Sequence, residues 1–234
     1  ELLSIDLELW WKKRPDLKKF LDKVTVLKLD NTLFSFQMTG LLKDFPNLHE
    51  LSAKGCELTR LPNQIGNLPR LQRLRLSDNK IVLDVDDVEK LKQQTRLEVL
   101  RLDENPLGRL VDIGHMPRLK VVGVRNTGLA SWPKGTLKKS RPRGFLLDLR
   151  GNPLEQIPDV VPGSAHAWVV ARTRLDVSNL SDINQVLYQQ VRQSVALPPE
   201  PIVPADNPME ATITSNYSTT HWNDVPGWGV DRAN

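Results

Sequence analysis

Between residues 71 and 81, LQRLRLSDNKI, the apolar positions follow neither a helix nor a simple strand. Leu71, Leu74, Leu76, Asn79 and Ile81 stand at offsets 0, 3, 5, 8 and 10. The alternation Leu74-Arg75-Leu76 is that of a short strand with one buried face. Asn79 stands where the strand ends and the chain bends, and its side-chain amide can both donate to and accept from the backbone groups exposed there. The same frame recurs. Its first position falls at Val24, Leu48, Leu71, Leu97, Leu119 and Gly144, giving steps of 24, 23, 26, 22 and 25 residues. The second and third positions are Leu27/Leu29, Leu51/Ala53, Leu74/Leu76, Leu100/Leu102, Val122/Val124 and Leu147/Leu149. The asparagine position holds Thr32, Cys56, Asn79, Asn105, Thr127 and Asn152, and Thr and Cys can each still donate one hydrogen bond.

The return halves of the repeats differ. Repeat two directs Leu61, Ile65 and Leu68 inward. In repeat three Asp86 or Asp87 is placed to cap a short helix. Trp132 in repeat five takes the position of Leu61 and Leu110, and the prolines that follow Leu61, Trp132 and Ile157 suit a turn, because Pro cannot donate to a ladder. Upstream, PDLKKFLDK predicts a helix starting at Pro15 with Leu17, Phe20 and Leu21 on one face and Trp10 and Trp11 nearby, a lid over residues 1–23. Downstream, AWVVARTRLDVSNLS reads as a degenerate last strand. SDINQVLYQQVRQS then predicts an amphipathic helix with Ser181 as N-cap and a stripe of Ile183, Val186, Leu187 and Val191, closing the other end over 181–196. Residues 197–234 are a proline-rich linker followed by a polar tail with Trp222 and Trp228.

Composition removes several functions. The 32 basic and 28 acidic residues nearly balance, so a net charge of +4 does not argue for nucleic acid. No apolar run reaches membrane-spanning length, and the first residues lack a secretory leader. One cysteine excludes an internal disulfide framework and favours a reducing compartment. The four histidines are scattered without metal-ligand spacing, no nucleophile or phosphate-loop motif is present, and no cofactor is expected. Cys56 sits at an asparagine position, where a thiol serves as a small hydrophobe with a weak donor. The basic run Lys134, Lys138, Lys139, Arg141 and Arg143, with no interleaved aromatic, reads as a solvated loop. Asn179-Leu-Ser181 and Asn216-Tyr-Ser218 read as chance matches to a glycosylation acceptor.

The frame of residues 24–158 resembles the leucine-rich repeat family. This implies an α/β solenoid: a curved parallel sheet on a concave face, with short helices, 3-10 turns and loops on the convex side, spanning 24–180. A narrower resemblance lies in RLKVVGVRNTGLASWPKGTLKKS, LLDLRGNPLEQIPD and ARTRLDVSNLSDINQVLYQQVRQS. These are similar to the repeat region of bacterial type III effectors that precedes a NEL-type E3 ubiquitin ligase domain. That resemblance implies secretion into the host cytoplasm and a role in choosing a ubiquitination target, with catalysis outside this chain. The catalytic Cys-x-Asp of such domains is not matched by Cys56-Glu57-Leu58. The alternative is a stand-alone intracellular scaffold or adaptor without enzymatic activity.

In such a solenoid the outward strand positions line up in columns. One column reads Val26, Glu50, Arg73, Val99, Val121, Leu146; the next reads Lys28, Ser52, Arg75, Arg101, Gly123, Asp148; the third reads Asp30, Lys54, Ser77, Asp103, Arg125, Arg150. The expected binding face is Arg73, Arg75, Arg101, Arg125 and Arg150 beside an exposed apolar strip containing Val99, Val121 and Leu146. The expected partner is a protein with an acidic surface, docking on a monomer. Pairing of the arginines with Asp78, Asp103 and Glu104 is the competing expectation.

Overall fold

The structure is a computed structural model that describes residues 15–33, 40 and 42–199. Trp10, Trp11, Trp222 and Trp228 lie outside the described residues, as does the side chain of Leu17.

Six three-residue strands form one parallel sheet in sequence order: β1 (Val26–Lys28), β2 (Glu50–Ser52), β3 (Arg73–Arg75), β4 (Val99–Arg101), β5 (Val121–Gly123) and β6 (Leu146–Asp148). Their register places Val26, Glu50, Arg73, Val99, Val121 and Leu146 in one row and Lys28, Ser52, Arg75, Arg101, Gly123 and Asp148 in another, as the columns require. A parallel neighbour needs a long return. Each return runs behind the sheet and carries the other half of the core, including Leu61, Ile65, Leu91, Leu107 and Ile113. The strand residue between the two outward positions is buried from β2 to β6 (Leu51, Leu74, Leu100, Val122 and Leu147), and only Leu27 of the first repeat remains partly exposed.

The bend after each strand is one device used six times. The residue before the asparagine position is always left-handed: Asn31, Gly55, Asp78, Glu104, Asn126 and Gly151, with φ between 51° and 70°. That reversal turns the next side chain inward, under the strands. The Asn79 carbonyl oxygen accepts from the Cys56 and Leu58 amides at 2.9 and 3.1 Å, and its amide donates to the Ala53 and Leu76 carbonyls, both at 2.9 Å. Asn152 repeats this on Thr127, Leu129, Val124 and Leu149. Each asparagine thus ties its own repeat to the one before it. Where Thr or Cys stands instead, only the donor half survives: the Thr32 hydroxyl donates to Leu29 O at 2.6 Å, and the Cys56 thiol donates to the same carbonyl at 2.9 Å.

Several local expectations change. Asp84, not Asp86 or Asp87, caps helix α1 (Val85–Lys92); its carboxylate accepts from the Asp87 amide at 2.8 Å, and the Asp87 carboxylate in turn accepts from the Asp84 amide at 3.2 Å. Asp87 is therefore the inner half of a capping box. Residues expected to be a last strand form helix α2 (Ala165–Arg172), capped by the Ser164 hydroxyl. The strand survives only as a bridge between Asp148 and Arg174. A short valine-rich run fits either structure, and the cap decides it. At the sixth repeat Gly144 is exposed and has no side chain to bury, so Phe145, one residue later, enters the core.

Helix α3 (Asp182–Ser194) starts at Ser181, but that hydroxyl caps no backbone amide and instead accepts from the Asn184 amide at 3.0 Å. Of the expected stripe only Val191 faces inward, and the helix is rotated so that Tyr188 joins it. Tyr188 and Val191 are buried, while Ile183, Val186 and Leu187 are exposed, Ile183 at 72%. The Tyr188 hydroxyl donates to Thr173 O at 3.1 Å and Arg192 to Ala171 O at 2.8 Å, which satisfies carbonyls at the end of α2. An apolar stripe centred on Val186 offers no such donor. In the 3-10 helix Pro15–Lys23, Leu21 reaches the core, but Phe20 remains half exposed beneath Lys19 and Lys23.

Candidate functional site

The outward face of the sheet carries the candidate site. Strand alternation points Arg73, Arg75 and Arg101 away from the core, and the residues after β5 and β6 add Arg125 and Arg150. The structure gives each of these arginines an acidic partner. Glu50 lies against Arg73 at 3.4 Å and Arg75 at 3.3 Å; Arg101 meets Asp103 at 3.3 Å, Arg125 meets Glu104 at 3.1 Å, and Arg150 meets Asp148 at 2.6 Å.

These pairs are layered. The Asp103 and Asp148 side chains are 5% and 2% exposed, while their partners Arg101 and Arg150 are 24% and 33% exposed. Asp103 fills the space that a side chain at Gly123 would occupy: its carboxylate oxygens lie 2.5 and 2.6 Å from where a Cβ would be. There it also accepts from the Ser77 hydroxyl and the Arg125 amide. Asp148 holds Arg150 through both oxygens, at 3.0 and 2.6 Å. Burial works against the Arg150 charge, but the hydrogen bond and charge of Asp148, with Asp176 and Asp103 beyond it, hold its pKa above the usual arginine value. The carboxylates of Glu50, Asp103 and Asp148 form an inner layer beneath Arg73, Arg75, Arg101 and Arg150, whereas Glu104 is exposed beside Arg125.

The expected exposed apolar strip is not exposed. Val99, Val121 and Leu146 are all buried although they lie on the outward face. They are in-register neighbours on adjacent strands, about 4.8 Å apart, so each shields the next. They stand outside the main core cluster and form a floor beside the arginines. The ion pairs expected of Asp103 and Glu104 are present. Glu50 and Asp148 are additional partners. Glu50 was detectable in the columns, since it stands directly opposite Arg73.

Two other sequence candidates prove structural. Burial pushes the Cys56 thiol pKa up, and its hydrogen bonds run to backbone carbonyls, so it is held as a protonated donor. Arg141 is not a solvated loop cation. Its guanidinium donates to the carbonyls of Thr136, Met116, Ile113 and Gly135 at 2.7–3.0 Å and lies over the Phe145 ring. Burial lowers its pKa. Among the described residues no group of three His, Cys, Asp or Glu side chains is placed to hold a metal ion, and no helix is long and apolar enough to cross a membrane.

A leucine-rich repeat protein of Leptospira interrogans superposes with a TM-score of 0.50 at 22% identity, over 69% of this chain and 38% of that one. The fold is a leucine-rich repeat solenoid. An internalin of Listeria monocytogenes is a more distant match, with a TM-score of 0.47 at 15% identity over 78% of this chain and 49% of that one. In sequence the solenoid is 30% identical over 111 residues to the volume-regulated anion channel subunit LRRC8D of Rattus norvegicus. That match covers 47% of this chain but 13% of the channel subunit, so the solenoid spans a small part of the curated relative and under half of the leptospiral chain. No family model matches the sequence.

Proposed function

We propose that this solenoid is a protein-recognition module whose sheet face binds an acidic segment of its partner. The observation that carries this reading is the layering of charge: the nearly buried carboxylates of Asp103 and Asp148 hold Arg101 and Arg150, and Glu50 seats Arg73 and Arg75, while the guanidinium groups face outward and Arg125 stands at the exposed edge of the row. Guanidinium groups fixed in this way lose little side-chain freedom when a carboxylate docks on them, and planar forks favour two-point contacts. The buried valines beneath provide a firm floor.

The test uses Arg73 and Arg125, the most exposed members, because Arg75 and Arg101 are more deeply seated. A random 15-residue peptide library is selected on the purified chain. Enriched peptides should be rich in Asp and Glu, and a double Arg73→Glu, Arg125→Glu variant with an unchanged circular dichroism spectrum should bind them at least about tenfold more weakly. Peptides without acidic bias, or binding unchanged in the variant, would overturn the assignment. On the finer effector reading, the acidic partner is a host protein marked for ubiquitination by a domain outside this chain, after secretion into host cytoplasm. The support for that reading is the resemblance of residues 118–194 alone.

A further inference from the structure

From residue 113 to residue 147 the chain holds eight Lys or Arg and no Asp or Glu. Two of the eight, Lys120 and Arg125, belong to the sheet side and are paired with Glu98 and Glu104. Arg141 is folded inward, and its four bonds to carbonyls draw residues 134–143 into a compact loop against the turn at Ile113–Met116. Lys134, Lys138, Lys139 and Arg143 remain on the outside of that loop, with Arg118 beside it, all exposed. None of these five forms an ion pair among the described residues. Asp112, the neighbouring carboxylate, is engaged by Lys92 and by the Gly114 amide. The contrast with the sheet face is direct: there every arginine of the candidate site has an acidic partner, and here no cation has one.

An exposed tryptophan borders this surface. Trp168 on α2 is 44% exposed; the Arg172 guanidinium lies 6.0 Å from its ring and donates to Arg143 O at 3.1 Å. We propose that this return-side surface, formed by Lys134, Lys138, Lys139, Arg143 and Arg118 with Trp168 at its margin, docks peripherally on an anionic phospholipid membrane. Long lysine side chains are compact mobile charges that suit a field of headgroups, and tryptophan settles at the boundary between headgroups and acyl chains. The patch lies on the outside of the solenoid, where a broad flat partner can reach it. Among the described residues it has no row of aromatic rings on which nucleic-acid bases would stack. The proposal is independent of the sheet face.

The experiment is co-sedimentation of the full chain with vesicles of phosphatidylcholine, with and without 30 mol% phosphatidylserine. Binding is expected only to the serine-containing vesicles and should fall with added salt. The variant Lys134→Glu, Lys139→Glu, Arg143→Glu should reduce partitioning by more than about a hundredfold, and Trp168→Ala by several-fold, both with an unchanged melting curve. Milder Gln substitutions at the same three positions should give an intermediate loss and serve if the charge reversals do not fold. The sheet-face variant Arg73→Glu, Arg125→Glu should sediment like the parent. Absence of binding to anionic vesicles at low salt, or equal binding by the triple variant, would overturn the proposal. So would tighter binding to duplex DNA that is lost in the same triple variant, which would give the surface to nucleic acid instead.

Discussion

At the scale of single residues, the bend after each strand sets the strongest requirement. Asn79 is buried and serves five backbone groups in two repeats at once. Replacing it with alanine leaves the Cys56 and Leu58 amides and the Ala53 carbonyl without that partner, in a place water reaches poorly. Buried unmade bonds cost about 1–3 kcal/mol each, and partial relaxation will recover some of this. Asn79→Ala should therefore lose about 3 kcal/mol in urea denaturation, and a loss under about 1 kcal/mol would mean the bend is held by its backbone alone. Thr32 and Cys56 show why the position tolerates exchange at some repeats. They keep the bond to the Leu29 carbonyl and give up the acceptor side. Arg141 shows the opposite case: a residue of ordinary surface type is spent inside a loop, where its planar donors match four carbonyls.

At the scale of elements, α1 provides a test of charge. The Asp84 carboxyl is held below its usual pKa, first by the Asp87 amide that donates to it and then, against some desolvation, by the Arg60 charge. A carboxyl depressed on folding stabilises the fold above its unfolded value, about 3.9, and that contribution is lost as pH falls through the lower folded value. Asp84→Asn retains an oxygen to accept from the amide but has no charge. The melting temperature of the parent should exceed that of Asp84→Asn at pH 7, and the gap should close as pH falls from 5 toward 3. A gap that stays constant with pH would assign the effect to geometry, not charge. Helix α3 makes a related point about faces. Its sequence offers two stripes one residue apart, and the one carrying a tyrosine hydroxyl and an arginine head packs inward, because the neighbouring end of α2 presents carbonyls.

For the whole molecule, stability is carried from repeat to repeat. Each strand pairs only with its neighbours in sequence, so stability is close to a sum of repeat and interface terms. Leu100 is wholly buried at the centre of β4, with repeats on both sides. Leu100→Ala should cost about 2–5 kcal/mol through lost burial and a cavity. Leu27→Ala, in the partly exposed first repeat, should cost clearly less by the same chemical-denaturation measurement. Equal losses at the two sites would contradict the nearest-neighbour picture.

The sequence by itself determined the strand register and both outward rows. A fixed side-chain alternation, restarted by each signature, leaves every repeat only one way to bury its leucines. It determined the asparagine bend for a similar reason, since the bonds made there are set by residues three apart in one repeat and by the same position in the next. What depended on the tertiary structure was everything decided by a neighbour from elsewhere in the chain. The inward face of α3 follows from the carbonyls at the end of α2. Asp103 lies buried because Gly123, one repeat later, leaves room for it. Val99 and Val121 are covered because identical positions stack in register. Arg141 turns inward because carbonyls of two repeats converge on it. Exposure and ion pairing are properties of such surroundings, and they assemble only when the repeats stack.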